Sequence, residues 1–477
     1  MTTPHLSRRA VLFSAVGAGV VSAVVPERTE RGARPPNVLL ALADDWGIPE
    51  LSGGSAAVAT PTFDRIAAEG AVFTRAFADA PSCTPSRGAL LTGQAPHRLG
   101  EGANLHGFLP VELATFPDLL EQAGYRVGMT RKGWGPGGEE DRSRNPAGPS
   151  FGSFEQFLDG QPEDTPFCFW FGSRDPHRPW DPELGPGSGI DPGDVEVPPY
   201  LVDTPECRQD IVNYLAHVRR FDDEVGDLLN VLENQGLAQD TMVVMTSDHG
   251  WAFPRSKATC YESGTRVPLA IRWPGRVRPG TVVPELTLLS DLAPTIVAAA
   301  GRAVPEEMTG QSVLPAMSGK PTPRPFVVVE RERHAMCREP NLAYPIRALR
   351  TEEWLYIRNF FPERWPAGDP RFADGWRSFG DIDGSPTKNQ IVANADDPNF
   401  AEVFQLATGK RPAEELYYLP ADPHSMHNVI DQHPRVRRDL RIQLREWMRR
   451  SDDPRAHRPR DTFWDTSYYT GPLPPSR

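Results

Sequence analysis

The sequence predicts an α/β fold: a large, mostly parallel sheet sandwiched by helices, followed by a smaller C-terminal unit of antiparallel strands and a helix. Three observations predict it. The apolar runs at 37–43, 167–171 and 241–246 are nearly continuous instead of alternating, the pattern of parallel strands buried on both faces. Helical patterns separate these runs, the longest at 205–234. From about Pro325 the character changes to short strands of alternating type, which marks a second architecture.

The elements follow in chain order. Ser7-Arg8-Arg9-Ala10-Val11-Leu12 is a paired arginine leading into an apolar stretch that runs to Val25. Its short, weakly hydrophobic character reads as a twin-arginine export signal to the periplasm or the exterior, the alternative being an uncleaved N-terminal anchor. Residues 26–36 form a lead-in. The strand at 37–43 ends in Asp44-Asp45. A helix opens at Thr60-Pro61, Val72-Phe73 begins an extended piece, and a helix at 116–123 precedes a second buried strand at 125–130. The strand at 167–171 ends in Asp175-Pro176-His177, and the one at 241–246 ends in Ser247-Asp248-His249-Gly250. A single helix is expected over 286–300. Strands at 327–330, 348–350 and 354–358, with an amphipathic helix at 438–448, make the second unit. Residues 362–390 read as a long insert-like loop, and the chain beyond 452 is rich in Pro and Arg. The implied domains are 1–36 (signal and lead-in), 37–324 (main α/β domain), 325–455 (C-terminal α+β subdomain) and 456–477 (tail).

Composition bounds the partners. The 477 residues are enough for one large core and a smaller one. A formal charge of -12 argues against nucleic acid, though a local cluster of Arg, Lys and His can still hold an anionic substrate. The five cysteines (83, 168, 207, 260 and 337) make no disulfide scaffold and show no zinc spacing. Nothing in the sequence fixes an oligomeric state.

In open α/β sheets ligands gather beyond the carboxyl ends of the strands. Asp44, Asp45, Asp248 and His249 stand at two such ends. Carboxylates brought that close in a core repel one another unless a cation joins them. Oxygen donors favour calcium or magnesium, and a histidine in the set admits manganese. Arg87, Lys132, His177 and Lys257 are the cations suited to an oxyanion, and one helical turn places Arg87 beside Cys83. His177 at a strand end can serve as a general acid.

Cys83-Thr84-Pro85-Ser86-Arg87, continued by Leu91-Thr92-Gly93, resembles the Cys-x-Pro-x-Arg element of the sulfatase family, as do Ala43-Asp44-Asp45 and Thr246-Ser247-Asp248-His249-Gly250. The resemblance runs from Asn37 to about Asp452 and implies an alkaline-phosphatase-like fold. It further implies that Cys83 is converted to Cα-formylglycine by a formylglycine-generating enzyme, and that the hydrated aldehyde attacks sulfur. By the same resemblance Asp44, Asp45, Asp248 and His249 hold Ca2+, with Mn2+ or Mg2+ as alternatives. Arg87, Lys132 and Lys257 would stabilise the sulfuryl oxygens, and His177 would protonate the leaving atom.

Two departures stand out. The family commonly has Gly-Lys-x-His where this chain has Arg131-Lys132-Gly133-Trp134, so the base for sulfate release falls to Asp45 or His97. His249 replaces the Asn of many members. Within the family the pattern is most similar to the heparan N-sulfatases, through Asp175-Pro176-His177-Arg178, Val197-Pro198-Pro199-Tyr200, Phe253-Pro254-Arg255-Ser256-Lys257 and Tyr344-Pro345-Ile346-Arg347. That likeness implies a sulfated saccharide such as N-sulfoglucosamine, with His97, His106, His334, Arg338 and Arg347 as substrate contacts. For the arginines the alternative is that they pin the second domain to the first. Trp180, Trp251 and Trp365 either stack on sugar faces or simply pack. Other readings are an O-sulfatase acting on another sugar or an aryl sulfate, a phosphonate or phosphate monoester hydrolase, and a glycan-binding protein without turnover.

Overall fold

The structure, a computed structural model, describes residues 35–52, 57–139, 142–320, 323–339, 341–371 and 378–465. The paired-arginine signal and the end of the tail lie outside these residues. Among the described residues the main sheet has seven strands: β1 (Asn37–Ala43), β2 (Ala71–Phe73), β3 (Arg126–Arg131), β4 (Phe167–Gly172), β5 (Thr241–Ser247), β6 (Leu269–Arg272) and β7 (Thr281–Val283). Their order is β3-β4-β1-β5-β6-β2-β7. The four strands from β3 to β5 are parallel, whereas β6 runs antiparallel to both of its neighbours.

The sheet is flanked by α1 (Pro61–Glu69), α2 (Cys83–Thr92), α3 (Phe116–Gln122), α4 (Pro205–Asn234) and α5 (Leu292–Ala299). Successive side chains of β1 point to opposite faces, and both faces are dry. Val38, Leu40 and Leu42 pack with Phe116 and Leu120 of α3 and with Leu292 and Ile296 of α5. Leu39, Ala41 and Ala43 meet Ile211, Leu215 and Phe221 of α4. Each such Leu or Val stabilises the fold by about 1.5–3 kcal/mol on burial. This double burial explains the unbroken apolar runs. In the observed register Ala43 lies opposite Ser247, and Leu42 opposite Gly172. The residues that follow these strands therefore emerge side by side.

The expected helix over 286–300 is shorter. Thr287–Leu288 forms a short strand beside Ala76–Phe77, and a 3-10 turn intervenes before α5. The carboxylate of Asp291 accepts from the Leu288 and Gln311 amides (2.8 and 2.7 Å), so the chain turns where a continuous helix was expected.

The second sheet is antiparallel, in the order β8 (Val327–Arg331), β9 (Ile346–Arg350), β10 (Trp354–Asn359) and β11 (Glu414–Tyr418). The segment expected as an insert-like loop ends in α6 (Pro386–Ala393) and is followed by α7 (Pro398–Thr408), then by β11 and α8 (Pro434–Arg450). Leu440, Leu444 and Met448 of α8 cover Val328, Leu349 and Tyr356 of this sheet. No helix among the described residues is long and apolar enough to cross a membrane.

Candidate active site

Helix α2 is the centre of the site. All ten of its residues are buried. Pro85 is tolerated because the first turn of a helix needs no N–H donor there. Gly93 ends the helix at φ 66°, a left-handed conformation that suits glycine. Ser82 stands at the N-cap position but does not cap, because its hydroxyl is engaged by His334 Nδ1 at 2.8 Å. Cys83 thus opens the helix at its electropositive end, a favourable place for an anion.

Around Cys83 the strand ends converge. Its Sγ lies 3.6 Å from Asp44 Oδ1 and 3.4 Å from His249 Nε2. Asp45 sits at φ 74°, a strained conformation for a non-glycine residue, held there by its N–H donating to Asp248 Oδ1 at 3.0 Å. Arg87 Nε donates to Asp248 Oδ2 at 2.8 Å, and its Nη2 lies 3.6 Å from Asp44. Lys132 Nζ donates to Asp44 Oδ1 at 2.6 Å, and Lys257 Nζ to Asp45 Oδ2 at 2.8 Å. His177 Nδ1 donates to the Arg178 carbonyl, which turns Nε2 toward the site, 3.9 Å from Asp45 Oδ2.

Charge pairing outweighs desolvation here. Burial alone would raise the Asp44 pKa, but Lys132 and then His177 and Arg87 hold it well below the usual carboxylate value. Asp248 is likewise lowered against burial, with Arg87 as its paired cation. Burial disfavours charged Lys257, yet Asp383 and Asp45 keep its pKa well above the ordinary value.

The donor set fits a divalent cation. His249 Nδ1 donates to the Gly250 carbonyl at 2.9 Å, which leaves a lone pair on Nε2. That lone pair faces Asp45 Oδ1 at 3.2 Å, a buried oxygen with no hydrogen-bond partner. Two acceptors facing each other in a dry site are what a cation reconciles. Ligand atoms of Asp44, Asp45, Cys83 and His177 lie within 4.8 Å of one another, as do those of Cys83, Asp248 and His249.

The site opens into a cleft of about 750 Å³ lined by Asp44, Cys83, Lys132, His177 and Lys257, and also by His106, His334 and Asp383. Burial, reinforced by Arg333, pushes the His106 pKa down to about 4, and burial brings that of His334 down to about 3. Both are neutral imidazoles at physiological pH.

Three expected substrate contacts are not on this cleft. His97 is buried with Nδ1 2.9 Å from Glu330 and Nε2 2.9 Å from the Ser451 carbonyl. The same placement removes it as the base for sulfate release. Arg347 is fully buried between Glu330, Glu332 and Asp453 (3.1, 2.8 and 2.7 Å). Arg338 is engaged by Asp381 and by the Trp365 and Pro366 carbonyls. Both arginines tie structure together. Trp251 is fully buried, donating to Ser256 Oγ, so it offers no stacking face. Trp134 is also fully buried. It donates to the Gly138 carbonyl and packs on Gly88 of α2.

Asp383 was not singled out from the sequence. It accepts from Lys257 Nζ at 3.0 Å. Its only sequence signal is an acidic residue in a loop more than a hundred positions from Lys257, which no local spacing reveals.

Comparison with known proteins agrees with this geometry. A sulfatase family profile matches residues 36–142 and 150–302, and a profile for the C-terminal region of N-sulphoglucosamine sulphohydrolase matches 247–359. Human N-sulphoglucosamine sulphohydrolase is 30% identical across 88% of this chain and 91% of the relative. An ulvan-active sulfatase of Formosa agariphila is 25% identical across 90% and 82%. Among solved structures, one bound to its substrate D-glucosamine-2-N,6-O-disulfate superposes with a TM-score of 0.62 at 20% identity, covering 90% of this chain and 99% of the other. The phosphonate monoester hydrolase of Agrobacterium radiobacter gives 0.64 at 17% identity, covering 87% and 96%. These two share the alkaline-phosphatase-like fold. With a cysteine-headed helix set among strand-end carboxylates and buried cations, and with the profile spanning more than half of its length, this chain belongs to the sulfatase family and is a sulfuric ester hydrolase.

Proposed function

We propose that the enzyme releases sulfate from N-sulfoglucosamine or a related heparan-type sugar after Cys83 has been converted to Cα-formylglycine. The observation that carries this reading is the position of Cys83: first residue of a buried helix, facing a cation-ready set of carboxylates and flanked by Lys132 and Lys257. Similarity to human N-sulphoglucosamine sulphohydrolase over most of both chains supports the sugar and the sulfamate linkage. Asp44, Asp45, Asp248 and His249 would hold the cation, with calcium the best match to three carboxylates and manganese next. Formylglycine at residue 83 would supply a hydrated aldehyde as the nucleophile toward sulfur, and a cation held by these four residues would supply Lewis acidity at it.

The chain's own groups do the rest. Lys132, Lys257 and the N-terminus of α2 stabilise charge on the sulfuryl oxygens, in positions fixed before substrate arrives. Arg87 is spent on Asp248 and on the Lys132 and Gly133 carbonyls, so it orients the carboxylate set and the lysine-bearing turn. His177 Nε2 carries a proton to the leaving nitrogen or oxygen. Asp45, at the site where His97 is not, is the proton acceptor for sulfate release in this reading.

The protein is proposed to reach the periplasm or exterior through its twin-arginine segment. The test of the function is a panel of N-sulfoglucosamine, 6-O- and 2-O-sulfated sugars, an aryl sulfate and a phosphonate monoester, with residue 83 shown to be converted. N-sulfoglucosamine should give the highest kcat/KM. Preference for the phosphonate, or binding without release, would overturn the reading.

A further inference from the structure

Among the described residues three carboxylates stand on the cleft wall, Asp44, Asp175 and Asp383, and two are fully committed. Asp44 takes Lys132 on both oxygens, and Asp175 takes Arg220 Nε and Nη2 on its two. Asp383 is different. Only Oδ2 is engaged, by Lys257, and among the described residues Oδ1 has no hydrogen-bond partner. Its side chain is 23% exposed, on the cleft.

The loop that carries Asp383 is held rigidly. Asp381 pairs with Arg331 and Arg338 and accepts from the Ala335 amide at 2.8 Å. Ile382 is buried, and Lys388 Nζ donates to the Phe379 and Ile382 carbonyls at 2.9 and 2.7 Å. Thr387 Oγ1 donates to Asp210 at 2.6 Å, and Asp210 forms a bidentate pair with Arg178, the neighbour of His177. The loop, the general-acid turn and the Lys257 turn are therefore one hydrogen-bonded frame. A free carboxylate oxygen held this firmly beside an oxyanion pocket repels any further anion, and its chemistry is to accept from a neutral or cationic donor.

We propose that Asp383 is a specificity-determining residue that accepts a hydrogen bond from a hydroxyl or amino group beside the sulfated atom of a sugar. It selects glycosides with a donor at that position and rejects those with a carboxylate or second sulfate there. The inference rests on the sugar reading given above.

Asp383→Ala and Asp383→Asn, with wild type, would be assayed on N-sulfoglucosamine and on 4-nitrophenyl sulfate, which has no such donor. Both rates will shift, because Lys257 loses a partner, so the ratio of losses is the readout. The loss in kcat/KM on the sugar should exceed that on the aryl sulfate by about 100-fold in D383A, since a site built to bond a hydroxyl discriminates strongly. D383N keeps a carbonyl acceptor and should recover part of the difference if the donor is a hydroxyl. Equal proportional losses on the two substrates would show that Asp383 only positions Lys257 and would overturn the inference. Wild type that turns over the aryl sulfate but no sugar would sink the sugar reading and this inference together. A melting temperature of D383N matching wild type keeps either result interpretable.

Discussion

At the scale of single residues, function concentrates where local rules are broken. Asp45 has a left-handed backbone, Ser82 leaves the helix uncapped, and two lysines face buried carboxylates. The pairs Asp44–Asp45 and Asp248–His249, with Cys83, Lys132 and His177, were legible because each follows a strand or begins a helix that the sequence marks. His97, Arg338 and Arg347 were misplaced for a common reason. A buried Arg or His in an ion pair has the same sequence signature as one that awaits a ligand. Lys132 gives the cleanest test of charge stabilisation, being at the rim with a side chain 16% exposed. Lys132→Ala should lower kcat by about 10²–10³-fold, the usual cost of removing one preorganised donor. Steady-state kinetics alongside circular dichroism would check it, and a change confined to KM would contradict a transition-state role.

Elements show what the apolar patterns reveal and what they leave silent. Strands β1, β4 and β5 and the long α4 were legible from their runs because both faces of the sheet are dry. β6 and β11 were missed. Each is a short strand whose pairing is with distant partners, and no hairpin turn announces it. The insert that carries Asp383 folds through Lys388, Asp381 and Asp210, side-chain contacts that have no sequence period. Helix α2 offers an element-scale prediction. A Cβ at Gly88 would stand 2.8 Å from the Trp134 ring and 2.9 Å from Leu99. Gly88→Ala should therefore destabilise the fold by about 1–3 kcal/mol through overpacking. Chemical denaturation would measure it, and an unchanged midpoint would mean that Trp134 is free to yield.

Across the whole molecule, the sheet with the active site and the antiparallel sheet are joined by buried charge. His97, in the 3-10 turn after α2, reaches Glu330 of β8 and the Ser451 carbonyl at the end of α8. Both partners accept only, so both ring nitrogens donate and the imidazole is cationic. Burial opposes that charge, but Glu330 and then Asp453 prevail over Arg347, and the pKa is raised above its ordinary value. A raised folded pKa stabilises fully below the unfolded value of about 6.5 and loses that contribution as pH climbs through the folded one. Thermal melts should thus show stability falling above neutral pH, with the slope reduced in His97→Gln. Identical slopes in the two proteins would contradict the assignment.

The chemistry of the site turns on what residue 83 becomes. Mass analysis of the tryptic peptide spanning residues 76–87, taken from a preparation with measured sulfate release, addresses it most directly. The aldehyde of Cα-formylglycine, in a fraction that tracks specific activity, is the predicted result. A fully active preparation in which residue 83 is an unmodified cysteine would contradict it.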